Sequence, residues 1–505
     1  MSGNKNLKTC LAMALLIPLM PCLAGAKIIY VDNDGPADFN NIQAATQNGD
    51  VNVDKKIDIN DVHYLLDYLF NKGPAPIPIK AGLPVTGQTK CYNNETEITC
   101  PQPGEPFYGQ DGSYQAGIPR NFDVVKPDPN DNSTWYTIDH VTGLMWQYKN
   151  DGPLMWQDAL AYCENLKLGG FSDWRLPNVN ELESIVDYGK SPAIDTNAFF
   201  YNPGYYWTST TFPKYPSDAL IVIFDTGSMN PGFKNQHHYF VRAVRTIQPI
   251  QNGDVDGDER VNINDVYYLL DYLFNEGSEP VSIKPVARLP VTGQTKCYDN
   301  EKEIPCPQPG EPFYGQDGNY QAGIPRNFEV VKPDQNDNSS WYTIDHVTGL
   351  MWQYKNDGIA RNWQDALAYC ENLKLGGFSD WRLPNVSELE SIFDYGHFDP
   401  TIDSNFFLIE GGGESRKHWT STTLPPWKYD DYAFIGVFYQ GGIWIEAKPD
   451  TFCLSRAVRT IKPGDLEREK TLSADLNNDG IVNLKDLAKF ADQWLMTELW
   501  YNNSQ

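Results

Sequence analysis

Three short segments of the chain place oxygen-bearing side chains at alternating positions, as a calcium-binding loop requires. In residues 50–61, 254–265 and 475–486, side-chain oxygens recur at loop positions 1, 3, 5, 9 and 12, and position 7 offers a backbone carbonyl. Alternate residues of a tight loop face one centre, where calcium takes about six to eight oxygens. The sequence therefore predicts three calcium sites, with these ligands: Asp50, Asn52, Asp54, Lys56, Asp58 and Asp61; Asp254, Asp256, Asp258, Arg260, Asn262 and Asp265; Asp475, Asn477, Asp479, Ile481, Asn483 and Asp486.

Loop position 6 distinguishes the three predicted sites. A left-handed backbone is needed there, and the third loop has Gly480, whereas Lys55 and Glu259 occupy this position in the first two loops. A residue with a side chain costs about 1–2 kcal/mol in that conformation. We therefore expect the third loop to bind calcium most tightly. The alternative interpretation of all three segments is a solvated acidic turn.

An apolar helical pattern follows each predicted loop. The resulting units, 50–73, 254–277 and 475–496, resemble dockerin repeats, in which a calcium loop precedes one helix. The resemblance implies a secreted protein, calcium-dependent folding and a role in polysaccharide-degrading assemblies. Dockerins that bind cohesins use two tandem copies, whereas these copies are separate in the sequence. Binding to a cohesin-like protein and simple spacing of neighbouring modules therefore both stay open.

A long module occurs twice between these units. The stretch 83–92 recurs letter for letter at 289–298, and the two copies span 83–247 and 289–461. Because long stretches are nearly identical, shared residues are weak indicators of function, and differences show where change was tolerated. The copies differ most at 211–240 and 423–454. We expect any ligand contact to lie there, since loops carry recognition on rigid scaffolds, and to differ between the copies.

Each module is expected to place two helices between groups of strands. Trp156 begins an amphipathic pattern that ends at Gly169. Asn178 and Glu181 form a capping box at the start of a second helix, whose buried face continues to Val186. Short strands are expected near 205–211, 219–224 and 239–245. The order of strands, helices and strands predicts an α+β module.

An ordered set of motifs runs through both modules. They are GLMWQ at 143–147, DWRLP at 173–177, WTST at 207–210 and RAVR at 242–245, with counterparts at 349–353, 380–384, 419–422 and 456–459. The set resembles the Lcl C-terminal domain family, named from a collagen-like bacterial adhesin, and this implies extracellular attachment. The WRLP and RAVR pattern is also similar to C-type-lectin-like folds. The resemblances together imply an α+β chain with two C-type-lectin-like modules, interspersed with short EF-hand-like (dockerin) loop-helix units.

The charge balance limits the classes of partner. The chain has 66 acidic and 40 basic residues and a formal net charge of −26. A polyanion repels phosphate backbones, so the sequence predicts no nucleic-acid partner. The glycosaminoglycan bound by the name-giving family member is also polyanionic, and we do not transfer that ligand to this chain. Such acidity suits calcium as the cofactor.

The N-terminal segment has the pattern of a secretory signal peptide. Lys5 and Lys8 precede a short apolar run, and Ala24-Gly25-Ala26 is a cleavage signal, so we expect cleavage after Ala26. Cys22 offers the alternative of a lipoprotein. No other run is apolar enough to span a membrane, which predicts a secreted, extracellular or cell-surface protein. Residues 27–49 would form a short N-terminal segment.

Export permits disulfides, and the cysteine positions indicate which ones form. Cys91–Cys100 and Cys297–Cys306 should be matched disulfides, because each pair brackets the same short hairpin. Cys163 should be a buried free thiol. A disulfide between Cys370 and Cys453 stays open.

No residue set predicts catalysis, so the chain is not expected to be an enzyme. The motifs HExxH and G-x-S-x-G do not occur, although a pair of glycosidase carboxylates stays open. Trp174 and Trp381 are interpreted as core anchors rather than sugar platforms. Arg175 and Arg382 are interpreted as partners of buried carboxylates or carbonyls.

These observations predict a secreted, calcium-binding, multi-module surface or matrix protein that attaches to carbohydrate or protein. The alternative is a non-catalytic component of an extracellular polysaccharide-degrading assembly, attached through the dockerin-like repeats. A third interpretation is a scaffold whose modules only provide spacing.

Overall fold

The structure, a computed structural model, describes a large part of the chain: residues 59–71, 82–212, 214–247, 255, 263–275, 289–409, 416–424, 431–462 and 465. The chain divides into two compact units. The first consists of Met1–Ile79, Gln248–Lys284 and Lys462–Gln505, and the second of Lys80–Ile247 and Pro285–Ile461. The second unit holds both copies of the duplicated module. The predicted signal peptide, the segment 27–49 and the third predicted repeat lie outside the described residues.

In the first unit, two helices pack against each other through their apolar faces. They are Ile59–Asn71 and Ile263–Asn275, which follow the first and second predicted calcium loops. Their buried contact consists of Val62, Leu65, Val266 and Leu269, together with Val255. The helices of the first two predicted repeats, about 200 residues apart in the sequence, are therefore neighbours in the folded chain.

Module one is built from short strands and short helices. Its elements are β1 (Cys91–Tyr92), β2 (Glu97–Ile98), α1 (Asp111–Tyr114), β3 (Phe122–Val125), β4 (Tyr136–Asp139), β5 (Leu144–Gln147), β6 (Asp151–Leu154), α2 (Trp156–Asn165), α3 (Val179–Glu183), β7 (Tyr205–Thr211), β8 (Asp218–Ile223), β9 (Ser228–Phe233), β10 (Tyr239–Val241) and β11 (Val244–Thr246). The strands form a hairpin β1-β2, a sheet β11-β5-β4-β3 and a sheet β6-β10-β7-β8-β9.

Module two repeats this plan, except that its described residues form no strands equivalent to β6 and β10. Its elements are β12 (Cys297–Tyr298), β13 (Glu303–Ile304), α4 (Asp317–Tyr320), β14 (Phe328–Val331), β15 (Tyr342–Asp345), β16 (Leu350–Gln353), α5 (Trp363–Glu371), α6 (Val386–Ser391), β17 (Lys417–Thr423), β18 (Tyr432–Val437), β19 (Gly442–Ala447) and β20 (Val458–Thr460). The sheets are β12-β13, β14-β15-β16-β20 and β17-β18-β19.

The predicted helix starts and disulfides are confirmed. Helix α2 begins at Trp156, and α3 begins after Asn178 with the predicted capping box. The disulfides Cys91–Cys100 and Cys297–Cys306 are both present. Cys163, Cys370 and Cys453 are buried free thiols, so the open pairing of Cys370 with Cys453 is not made.

The expected fold class was wrong. We expected an α+β chain of C-type-lectin-like modules with EF-hand-like units, but the described residues are 18% helical and 29% strand, with many small sheets. No EF-hand unit is evident among the described residues. Helix α3 is shorter than its apolar pattern, because Arg120 donates to the carbonyl oxygens of Ser184 and Val186, which a longer helix would use internally. Tertiary hydrogen bonds therefore end the helix early.

Each module extends an N-terminal arm onto the other module. We call residues 86–116 arm one and residues 292–322 arm two. Gln88 in arm one donates to the Thr423 carbonyl oxygen of module two at 2.6 Å, and Gln294 in arm two donates to the Thr211 carbonyl oxygen of module one at 2.8 Å. These equivalent contacts make the exchange reciprocal, so the modules are related by an approximate twofold axis.

Candidate functional site

The structure describes only two of the predicted calcium ligands, Asp61 and Asp265. Both are buried in the first turn of their helices. Asp265 Oδ1 accepts a hydrogen bond from the Val255 backbone N–H at 2.7 Å. Within the described residues, no group of three or more His, Cys, Asp or Glu side chains is placed to hold a metal. The other predicted ligands lie outside the described residues, and the three calcium sites stay a prediction.

The tryptophans and arginines of the repeated DWRLP motif are structural, as predicted. Trp174 and Trp381 are fully buried. Arg175 donates to both carboxylate oxygens of Glu181, at 2.6 and 2.5 Å. Glu181 Oε2 also accepts from the Asn178 backbone N–H as the helix cap. Module two repeats this arrangement with Arg382 and Glu388, so these carboxylates already have full sets of partners.

The same motif also receives the arm of the other module, which the sequence analysis missed. The Arg175 guanidinium lies 5.5 Å from the ring centroid of Tyr320 in arm two. The Tyr320 hydroxyl donates to Glu164 at 2.9 Å, and Asn178 Nδ2 donates to the Ala322 carbonyl oxygen at 2.9 Å. Part of the letter-for-letter repetition therefore reflects contacts between the modules.

A buried aspartate anchors each arm. Asp111 Oδ2 accepts from the hydroxyls of Thr86, in its own arm, and Thr422, in module two, both at 2.7 Å. Asp317 is bound in the same way by Thr292 and Thr210. Burial outweighs these hydrogen bonds and raises the pKa of each aspartate to about 6. The anchors therefore hold protons more readily than exposed aspartates do.

A cluster of aromatic rings lies on the surface of module one. It consists of Tyr205, Phe233, His237 and Tyr239, and we call it the aromatic face. Ring centroids are 5.1 Å apart for Tyr205 and Tyr239, 5.2 Å for His237 and Tyr239, and 5.6 Å for Phe233 and His237. Tyr205 and Phe233 are each 45% exposed, so both offer ring surface to solvent.

Interactions beneath and within the face fix its rings. The buried Trp207 lies 4.6 Å from the Tyr239 ring centroid and donates its indole N–H to the Leu154 carbonyl oxygen at 2.8 Å. The Tyr239 hydroxyl lies 2.8 Å from His237 Nδ1. The rings are thus held in place before any ligand arrives, which lowers the entropic cost of binding.

Module two does not repeat the aromatic face. Lys417, Ala447, Thr451 and Cys453 occupy the equivalent positions. Lys417 instead forms an ion pair with Glu446 at 2.8 Å. Three of the four aromatic positions fall within or at the edge of the most divergent segment, 211–240, which is the signal that could have revealed the face.

Comparison with known families finds the Lcl C-terminal domain at residues 136–245 and again at 342–459. Both matches begin at the second strand after the arm, β4 in one module and β15 in the other. The arms therefore precede the matched ranges. A comparison with curated proteins finds no match to this chain.

Proposed function

The chain carries two copies of the Lcl C-terminal domain, and from this we propose a secreted, calcium-binding, multi-module surface or matrix protein that attaches to carbohydrate. Binding rather than catalysis is its proposed activity. The aromatic face of module one is the observation that carries the proposal. Among the described residues, no helix is long and apolar enough to cross a membrane.

The aromatic face suits a sugar because it combines flat apolar rings with polar groups. The C–H side of a pyranose can stack on Tyr205 and Phe233, while the hydroxyls of the tyrosines and the His237 imidazole can exchange hydrogen bonds with sugar hydroxyls. The net charge of −26 disfavours a polyanionic glycan. We therefore propose a neutral polysaccharide as the ligand of module one.

The test replaces both exposed rings of the face in the full chain. Parent and Tyr205→Ala/Phe233→Ala proteins are titrated by calorimetry with soluble neutral glucans, xylans and mannans. We expect the variant to lose about tenfold or more in affinity, which corresponds to about 1.4 kcal/mol. Phe452→Ala is the matched control, because Phe452 is an exposed aromatic residue of module two, and it should bind like the parent.

Two results would contradict the carbohydrate proposal. One is the absence of binding by the parent to every neutral polysaccharide tested. The other is equal affinity in the parent and the Tyr205→Ala/Phe233→Ala variant. Circular dichroism of the variant shows whether its fold is intact.

The proposed calcium binding is tested on the same chain. We expect removal of calcium by a chelator to lower the melting temperature, since an ion bound only to the folded state stabilises it. Asp475→Ala should remove the tightest site, and Asp50→Ala and Asp254→Ala should remove weaker ones. Calorimetry that detects no heat when calcium is added to the chelator-treated chain would refute this part of the proposal.

A second candidate function is a non-catalytic component of a polysaccharide-degrading assembly. The observation in its favour is the packing of helices Ile59–Asn71 and Ile263–Asn275, which brings the first two repeats together as a pair. Dockerins that bind cohesins also use two repeats. A pull-down with purified cohesin modules in calcium, and again in chelator, tests it, and no capture in calcium would exclude it.

A further inference from the structure

Two buried glutamates meet where the two modules join. Glu183 is the last residue of α3 in module one, and Glu390 occupies the equivalent position in α6 of module two. Each is only 4% exposed, and both line one cleft at the junction. The approximate twofold axis therefore brings two like charges together in a place with little water.

The glutamates are incompletely satisfied by the protein. Glu183 Oε2 accepts from the Tyr188 hydroxyl at 3.0 Å, but Glu183 Oε1 and Glu390 Oε1 have no hydrogen-bond partner. Within the described part of the chain, no basic side chain forms an ion pair with either glutamate. Buried acceptors are nearly always satisfied, so each unpartnered oxygen calls for a ligand.

A third unpartnered oxygen lines the same cleft. Asn180 is more than nine-tenths buried and donates its amide Nδ2 to the Pro290 carbonyl oxygen at 2.8 Å. This bond fixes the amide orientation and leaves Asn180 Oδ1 as the atom without a partner. The cleft also includes the hydroxyls of Ser184 and Ser391, each of which donates within its own helix and can still accept.

We propose that Glu183, Glu390 and Asn180 bind one calcium ion in this cleft and that the ion links the two modules. Two carboxylates balance the charge of a divalent ion, and carboxylate, amide and hydroxyl oxygens are the ligands that calcium takes. The serine hydroxyls and water complete the coordination. This site is separate from the three Asp-rich loops and does not depend on them.

A proton competes with calcium for this pair. Burial raises the pKa of Glu183 to about 8, and burial together with the charge of Glu183 raises that of Glu390 well above its usual range. Two tyrosines face the pair: Tyr188 donates to Glu183, and burial together with the charges of both glutamates raises the pKa values of Tyr188 and Tyr395. Arg120 and Arg326 oppose this rise at Tyr188 and Tyr395 respectively. The pair therefore retains a proton near neutral pH, and calcium would have to displace it.

The experiment isolates the cleft from the loops. The background protein is the full chain with Asp50→Ala, Asp254→Ala and Asp475→Ala, stripped of calcium and titrated with calcium at pH 7 by calorimetry. We expect one bound ion and the release of about one proton, measured in two buffers of different ionisation enthalpy. Calcium at a hundredfold excess over its dissociation constant should also raise the melting temperature of the module pair by about 4 °C.

Two variants of the background decide the assignment. Glu183→Gln/Glu390→Gln should lose the bound ion, the proton release and the melting shift. Glu164→Gln/Glu371→Gln is the matched control, because these glutamates contact the arms rather than the cleft, and it should keep all three. Tryptophan fluorescence reports the melting of the module pair, which holds the largest buried side chains, among them Trp146 and Trp352.

Either of two outcomes overturns the proposal. If the background protein binds no calcium and releases no proton, the glutamates share a proton instead of an ion. If Glu183→Gln/Glu390→Gln binds calcium as the background protein does, the ion lies elsewhere. Should that variant fail to fold, the proton release of the background protein still decides between an ion and a shared proton.

Discussion

Replacing the arm anchors Asp111 and Asp317 by asparagine should stabilise the module pair at pH 8 and have little effect at pH 4. The folded-state pKa of each anchor is about 6, against an ordinary value of 3.8, and the main cause is burial. Between these pH values the folded chain holds a proton that the unfolded chain has released. Stability from each anchor is therefore fully present below about pH 3.8 and is lost as pH rises through 6.

The size of this change in stability follows from the difference between the folded-state pKa and the ordinary pKa of each aspartate. A difference of about two pKa units corresponds to about 3 kcal/mol for each anchor. An asparagine keeps an oxygen that can accept from Thr86 and Thr422 or from Thr292 and Thr210, but it carries no charge that must be buried. The free energy of unfolding of the parent should therefore rise by about 3 kcal/mol per anchor, relative to that of the variant, as pH falls from 8 to 4.

Urea unfolding at one-unit steps from pH 8 to pH 4, followed by tryptophan fluorescence, measures the difference. The quantity compared is the free energy of unfolding of the parent minus that of Asp111→Asn/Asp317→Asn, so that other titrating groups cancel. Asp158→Asn is the control, because Asp158 is exposed on α2 and makes no contact with either described arm. A difference between parent and anchor variant that stays constant from pH 8 to pH 4 would refute the reasoning.

Three further predictions concern stability. Arg382→Lys should cost about 3 kcal/mol in urea unfolding, because it breaks a buried two-pronged pair with Glu388. Lys296→Ala, at the exposed pair with Glu303, should cost much less, and equal costs would contradict this. Gly112→Ala should lower the free energy of unfolding by about 1–3 kcal/mol, because a Cβ there would lie 2.1 Å from the Lys90 carbonyl oxygen. Gly152→Ala is the control, because Gly152 has open space around it, and this variant should have nearly the stability of the parent. Cys163, Cys370 and Cys453 should resist iodoacetamide at pH 8 until the chain unfolds, since burial raises the pKa of each thiol; mass spectrometry showing rapid labelling of the native protein would be contrary evidence.

Features decided by neighbouring residues could be predicted from the sequence. The capping box at Asn178 and the hairpin closed by Cys91 and Cys100 depend on residues fewer than ten positions apart. Burial of Trp174 also follows from its type, since tryptophans dominate cores. Local chemistry carries enough information for each of these.

Features decided by distant residues could not be predicted. Asp111 meets Thr422 across 311 positions, and nothing in either local sequence indicates this partner. Because the modules repeat each other, the same letters are compatible with an arm that folds onto its own module and with one that crosses over. The early end of α3 has a similar cause, since it depends on Arg120, 64 positions before the carbonyl oxygen of Ser184.

The exchange of arms also bears on how the duplication persists in the gene. Recombination between long, nearly identical repeats can delete one copy. Such a deletion would leave the remaining module with an arm that has no module to bind. It would also expose Arg175 or Arg382, which a tyrosine of the other arm covers in the two-copy chain. A single-copy product would fold poorly or pair with a second molecule, so we expect selection to remove most deletions and to retain the two copies together.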